Sequence, residues 1–133
     1  MRRIVFVLSA LLFSFAGYPQ SHEMRPPHRG DRHPRIVCVG EENAGLIAET
    51  LHGLSFSEQK MKVAKMCVKV MPLCTRDLRL IVAEFDYDND RLEYLKYAYG
   101  FVSDPWNYYT LQDCFSFQTN YNSLMDYVNG QRR

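Results

Sequence analysis

The chain of 133 residues carries 16 Lys and Arg against 15 Asp and Glu, a formal net charge of +1, with 47% hydrophobic and 14% aromatic residues. That length and apolar content suit one domain built on a single core. A charge so close to neutral lacks the basic face that a nucleic-acid partner needs, so no such partner is expected.

Met1-Arg2-Arg3 is a short basic start, Ile4 to Ala16 is an apolar run of thirteen, and Ser14 and Ala16 stand three and one before a cut. This is the pattern of a secretory signal over residues 1–16. Thirteen residues are short for a membrane span, which takes about 20, and no second long apolar run follows, so the protein is not expected to span a membrane. Cleavage removes Arg2 and Arg3 and leaves 14 of the 16 basic residues against 15 acids. The expected location is periplasmic or extracellular. All four cysteines, Cys38, Cys67, Cys74 and Cys114, follow the cut, in a compartment where disulfides persist. Their spacings include no C-x-x-C pair and miss those of structural zinc sites, so disulfides or buried thiols are expected rather than a metal.

Residues 17–38 read as a flexible linker. From Gly17 to about Arg35 the text is GYPQSHEMRPPHRGDRHPR, crowded with Pro, Arg and His and almost without aliphatic side chains to pack. His22, His28 and His33 lack the preorganisation of a metal site, and Arg29-Gly30-Asp31 is a tripeptide that recurs by chance. Ile36 to Val39 is a short apolar entry, an extended strap onto a helical domain over 39–133.

Within that domain Asn43 caps a helix whose stripe is Ile47, Thr50, Leu51 and Leu54, with Gly53 near its end. Ser55 and Glu58 form a capping-box pattern before the most apolar helix: Met61, Ala64, Cys67, Val68 and Met71, with Val63, Met66 and Val70 on the adjoining face. Lys62, Lys65 and Lys69 keep one stripe wet, and the helix is expected to be central, its methionines filling core rather than holding a soft metal. Pro72 ends it. Thr75 caps a helix with Leu78, Ile81, Val82 and Phe85 on one face, and Asp86 to Asp90 caps another with Leu92, Leu95, Tyr99 and Val102. Asp104 and Pro105 open a further helix carrying Tyr108, Leu111 and Phe115. Ser116 to Thr119 caps the last, with Tyr121, Leu124, Met125 and Val128. The fold class expected is all-α, about six short helices in consecutive antiparallel pairs.

Overlaying these pieces gives a period. Leu54, Ser55 and Phe56 match Phe85, Asp86 and Tyr87 at an offset of 31, and those match Phe115, Ser116 and Phe117 at 30. Periods of this size indicate stacked helical pairs. Stacking equivalent helices in parallel sets Cys38 near the ends that carry Cys74 and Cys67, so Cys38 is expected to pair with one of these and not with Cys114.

Asp86-Tyr87-Asp88-Asn89-Asp90 begins like a calcium loop but has Arg91 where a turn glycine belongs and Tyr97 where a bidentate Glu belongs, so capping is the better reading. His52 is the only histidine of the folded part and has no nucleophile at a suggestive spacing. The aromatic run through Tyr94, Tyr97, Trp106 and Tyr109 holds more rings than two short helices bury, which makes these four the expected binding surface.

The text FDYDNDRLEYLKYAYGFVSDPWNYYTLQDCFSF, followed by Leu124 and Tyr127-Val128, resembles the domain of unknown function family 4476 over Pro72 to Val128. The resemblance implies a small helical domain of exported proteins, largely from Bacteroidetes, and implies no reaction. The function expected is therefore a non-catalytic binding module with an aromatic and acidic surface for a protein or glycan partner, without cofactor or catalytic residues. The competing class is an exported hydrolase assembled from distant residues such as His52 and the acids after Phe85. The sequence does not set an oligomeric state.

Overall fold

The computed structural model describes residues 35–133, so the signal read in 1–16 and the linker text up to residue 34 lie outside the described residues. The described chain forms α1 (Glu41–His52), α2 (Ser57–Val70), α3 (Thr75–Val82), α4 (Asp88–Ala98), a 3₁₀ helix (Pro105–Cys114) and α5 (Gln118–Gln131), with no strand among the described residues. The all-α class and the six helices are as the sequence implied. Over Pro105–Cys114, however, the α-helix expected is a 3₁₀ helix. Its three-residue turn puts Tyr108 and Leu111 on one line, both fully buried.

Two layers follow from which helices touch. α1 lies beside α3 and α3 beside the 3₁₀ helix, while α2 lies beside α4 and α4 beside α5. Links between neighbouring helices give direction. Cys38 is bonded to Cys74 ahead of α1 and α3, and His52 Nδ1 meets Glu84 Oε2 at 3.0 Å behind them, so α1 and α3 run parallel. The same holds for α3 and the 3₁₀ helix, where the Thr75 amide donates to Asp104 Oδ1 at 2.6 Å and Arg79 grips Asp113 at 2.6 Å. Lys65 donates to Glu93 (2.6 Å) between α2 and α4; Asn120 donates to Asn89 (3.2 Å) and Lys96 to Ser123 (3.2 Å) between α4 and α5. Between the layers lies the core, with Leu51, Leu73, Leu78, Phe85, Tyr94, Leu95, Tyr108 and Leu124 fully buried.

The Cys38–Cys74 bond spans 36 residues and agrees with the pairing expected from parallel stacking; Cys67 and Cys114 are free thiols. Burial pushes both of those thiols up from their ordinary pKa. The segment Ile36 to Val39 forms no strand; Val39 packs against the core and its amide donates to the Pro72 carbonyl at 2.8 Å. The expectation that α2 is central also fails. Met66 is 58% and Val70 71% exposed, because α2 has a neighbour in its own layer only on the α4 side and ends the stack on the other.

Most expected caps are displaced. Gly40, at φ 89°, is the N-cap of α1, a backbone angle that favours glycine, and Asn43 lies inside the first turn with its Nδ2 donating to the Val39 carbonyl. Cys74 rather than Thr75 caps α3, and the Asp77 carboxylate accepts the Cys74 amide at 3.0 Å. The Ser55/Glu58 box does not form; Phe56 occupies the N-cap with no side-chain cap bond.

Candidate functional site

Phe56, Tyr87 and Phe117 occupy the N-cap positions of α2, α4 and α5 with nearly the same backbone, φ/ψ of −112/130°, −114/138° and −118/127°. Their side chains are 66%, 69% and 66% exposed, whereas Phe85, two residues before Tyr87, is fully buried. Leu54 and Phe115, two before the other rings, pack against the core. Since α2, α4 and α5 are parallel neighbours and packed helices lie about 8–10 Å apart, the N-cap positions that carry the rings follow one another in a row with roughly that spacing.

The backbone beneath the row is pinned by side chains at matching helix positions. Lys60, on α2, donates to the Glu84 carbonyl at 2.8 Å, and Arg91, at the same position of α4, donates to the Cys114 carbonyl at 3.0 Å and the Phe85 carbonyl at 2.9 Å. Each cation thus meets carbonyls just past the end of α3 or at the end of the 3₁₀ helix, where a positive charge is favourable. Asp88 Oδ2 accepts the amides of Ser116 (2.8 Å) and Phe117 (2.9 Å), so the acid expected to cap α4 instead holds the entry to α5. Partial burial pushes the Asp88 carboxyl up, and the two amides with the Arg91 guanidinium outweigh this and hold it below its ordinary value. Asp86 and Glu58 beside the row are exposed at 75% and 79% of their side chains. Such a ledge offers flat apolar faces for stacking and carboxylate acceptors between them.

Of the four aromatics expected at the surface, Tyr94 is in the core. It has no exposed area, its ring lies 5.7 Å from that of Phe85, and its hydroxyl has no hydrogen-bond partner among the described residues. The reason is that α4 is flanked by both α2 and α5, which widens its buried arc beyond the Leu92 and Leu95 stripe. Burial accordingly raises the Tyr94 pKa. Tyr97 is half-buried, stacked with Phe101 at 5.3 Å and under the ammonium of Lys65 at 5.1 Å. Trp106 is half-buried near the start of the 3₁₀ helix, and Tyr109 is 65% exposed in the other layer from Tyr97, its carbonyl accepting the Tyr121 hydroxyl at 2.9 Å. These side chains are therefore divided among core and two layers. The density of aromatics from Tyr94 to Tyr109 draws sequence reasoning away from this row, although the period of 31 and 30 marks its three positions.

His52 points into solvent, 83% exposed, and bonds Glu84 rather than a nucleophile. The acids after Phe85 are engaged separately: Asp88 with the α5 entry and Asp86 4.0 Å from Lys60. Cys38, Cys74 and Asp77 lie together, with Asp77 fully buried, but the two sulfurs are bonded to each other and Asp77 serves the α3 cap.

Residues 40–128 match the family model described as Domain of unknown function (DUF4476), a longer match than the segment from Pro72 on which the resemblance was read. No curated protein and no solved structure matches the chain.

Proposed function

We propose, for a chain that belongs to the DUF4476 family of domains of unknown function, that the folded part is a non-catalytic binding module of an exported protein. The ligand lies across the N-terminal ends of α2, α4 and α5. What carries this reading is the recurrence of an exposed ring at the same helix position three times, 66%, 69% and 66% exposed, on backbone held by Lys60, Arg91 and Asp88. Exposing three large rings in one line costs hydrophobic burial and is typical of an interaction surface. Tyr and Phe give large contact area with few rotors to immobilise. A protein segment or glycan with an extended, repeating outline fits rings about 10 Å apart, with Asp86 and Glu58 accepting from its hydroxyl or amino groups. Export is supported by the signal pattern of residues 1–16 and agrees with the Cys38–Cys74 bond; no helix among the described residues is long and apolar enough to cross a membrane.

The test is retention of envelope proteins and of arrayed glycans by wild type beside a Phe56→Ala, Tyr87→Ala, Phe117→Ala variant, with circular dichroism to check that helicity is kept. A ligand retained by wild type and lost by the folded variant is the result expected. Equal retention by both overturns the assignment of the row.

A further inference from the structure

We infer that the open end of the stack, the outer face of α1 and α2, is a self-association surface that pairs with the same face of a second copy. A groove of about 530 Å³ runs between the two helices, lined among others by Val39, Leu46, Val63, Met66 and Met71. Leu46 is 57%, Met66 58% and Val70 71% exposed, so this end of the core is uncovered in the single chain. The opposite end, between the 3₁₀ helix and α5, is lined largely by polar groups, among them Thr110, Gln112, Asp113 and Gln118. Stacks of helical pairs need a polar outer face on each terminal pair, and only the C-terminal pair here supplies one. The text Gly17 to Arg35 is almost without aliphatic side chains and offers little to fill the groove from within the same chain.

Charge selects the occupant. On α1, Leu46 is flanked at i−4 and i+3 by Glu42 and Glu49; on α2, Met66 is flanked at i−4 and i+3 by Lys62 and Lys69, all four exposed. Residues so spaced share one helix face. A two-fold axis parallel to the helices sets α1 against α2 of the second copy, antiparallel, with Leu46 on Met66, Glu42 facing Lys69 and Glu49 facing Lys62. The surface is then its own complement, as a closed isologous dimer requires. Head-to-tail stacking instead sets the apolar groove on the polar Gln and Asp end, so a closed pair is favoured over a filament.

Sedimentation equilibrium of the purified protein, disulfide intact, reads the outcome. Wild type is expected to reach twice the chain mass, and Met66→Glu to sediment as a monomer with unchanged helicity, since this side chain is already exposed in the monomer. Reversing all four charges (Glu42→Lys, Glu49→Lys, Lys62→Glu, Lys69→Glu) is expected to preserve the homodimer while abolishing exchange with tagged wild type. A wild type that stays monomeric at about 100 μM hands the groove to a different occupant and overturns the inference. A Met66→Glu protein that remains dimeric places the interface elsewhere and overturns it equally.

Discussion

Replacing both Cys38 and Cys74 by alanine removes the one covalent tie between the entries to α1 and α3. The bond spans 36 residues, and the loop-closure entropy it takes from the unfolded chain amounts to about 4 kcal/mol at 25 °C. Beside the buried packing of Ala44, Ile47 and Leu51, the polar contacts that remain are the Val39 amide on the Pro72 carbonyl at 2.8 Å and the exposed His52–Glu84 contact at the far end of α1. One backbone bond contributes about 1 kcal/mol net and a surface pair still less, so neither replaces the tie. Against the 5–15 kcal/mol typical of a small domain, this is a large fraction. For a folded part of this size it lowers Tm by roughly 15–30 °C. Urea unfolding followed by circular dichroism, on wild type with and without reductant and on the double variant, measures it. Reduced wild type and the variant are expected to fall together, while Cys67→Ala and Cys114→Ala keep the full response to reductant. A double variant within about 1 kcal/mol of oxidised wild type refutes the claim that this bond anchors α1 to the stack.

Asp88→Ala removes the acceptor of the Ser116 and Phe117 amides and is expected to cost about 1–2 kcal/mol, with the loss of hydrogen-exchange protection concentrated at the start of α5. Because the folded Asp88 pKa lies below its unfolded value of about 3.9, its contribution is fully present above that value and is lost as pH falls through the lower folded pKa. Wild type should therefore lose stability on acidification below about pH 4 more steeply than Asp88→Ala, and parallel acid curves contradict this. Tyr94→Phe deletes a buried hydroxyl without a partner among the described residues and is expected to hold or raise stability, up to about 1 kcal/mol; a loss beyond about 1 kcal/mol shows that the hydroxyl is satisfied. Arg91→Met leaves the Phe85 and Cys114 carbonyls without their donor and is expected to cost about 1–3 kcal/mol in urea unfolding, whereas a neutral effect dissociates Arg91 from the join between the pairs.

The helices were legible because apolar spacing is local: Leu78, Ile81 and Phe85 declare one face whatever they pack on, and all three are fully buried. Partners distant in sequence were not. Asp88 and Asp104 have the composition of caps for their own helices, yet their carboxylates serve the amides of Ser116, Phe117 and Thr75, contacts separated by 28 and 29 residues. Period alone could not tell 3₁₀ from α over Pro105–Cys114, since Tyr108 and Leu111 are three apart in either. The all-round apolar composition of α2 reads as burial, but a stack has ends, and Met66 and Val70 lie on one. For the site, counting rings showed that some must be exposed without showing which. Of the four rings expected at the surface, Tyr94 is enclosed by neighbours on both sides, Tyr97 and Trp106 are half-buried and Tyr109 is exposed, while Phe56, Tyr87 and Phe117 are exposed at the repeated offset.

The central claim is that those three rings act as one surface, and titration calorimetry of the ligand retained by wild type tests it most directly, against Phe56→Ala, Tyr87→Ala, Phe117→Ala, Tyr97→Ala and Tyr109→Ala. Each of the first three should weaken binding about tenfold, the loss of roughly 1.4 kcal/mol expected of an aromatic anchor, while Tyr97→Ala and Tyr109→Ala leave it unchanged. Unchanged affinity at Phe56, Tyr87 and Phe117, with loss at Tyr97 or Tyr109, contradicts the account.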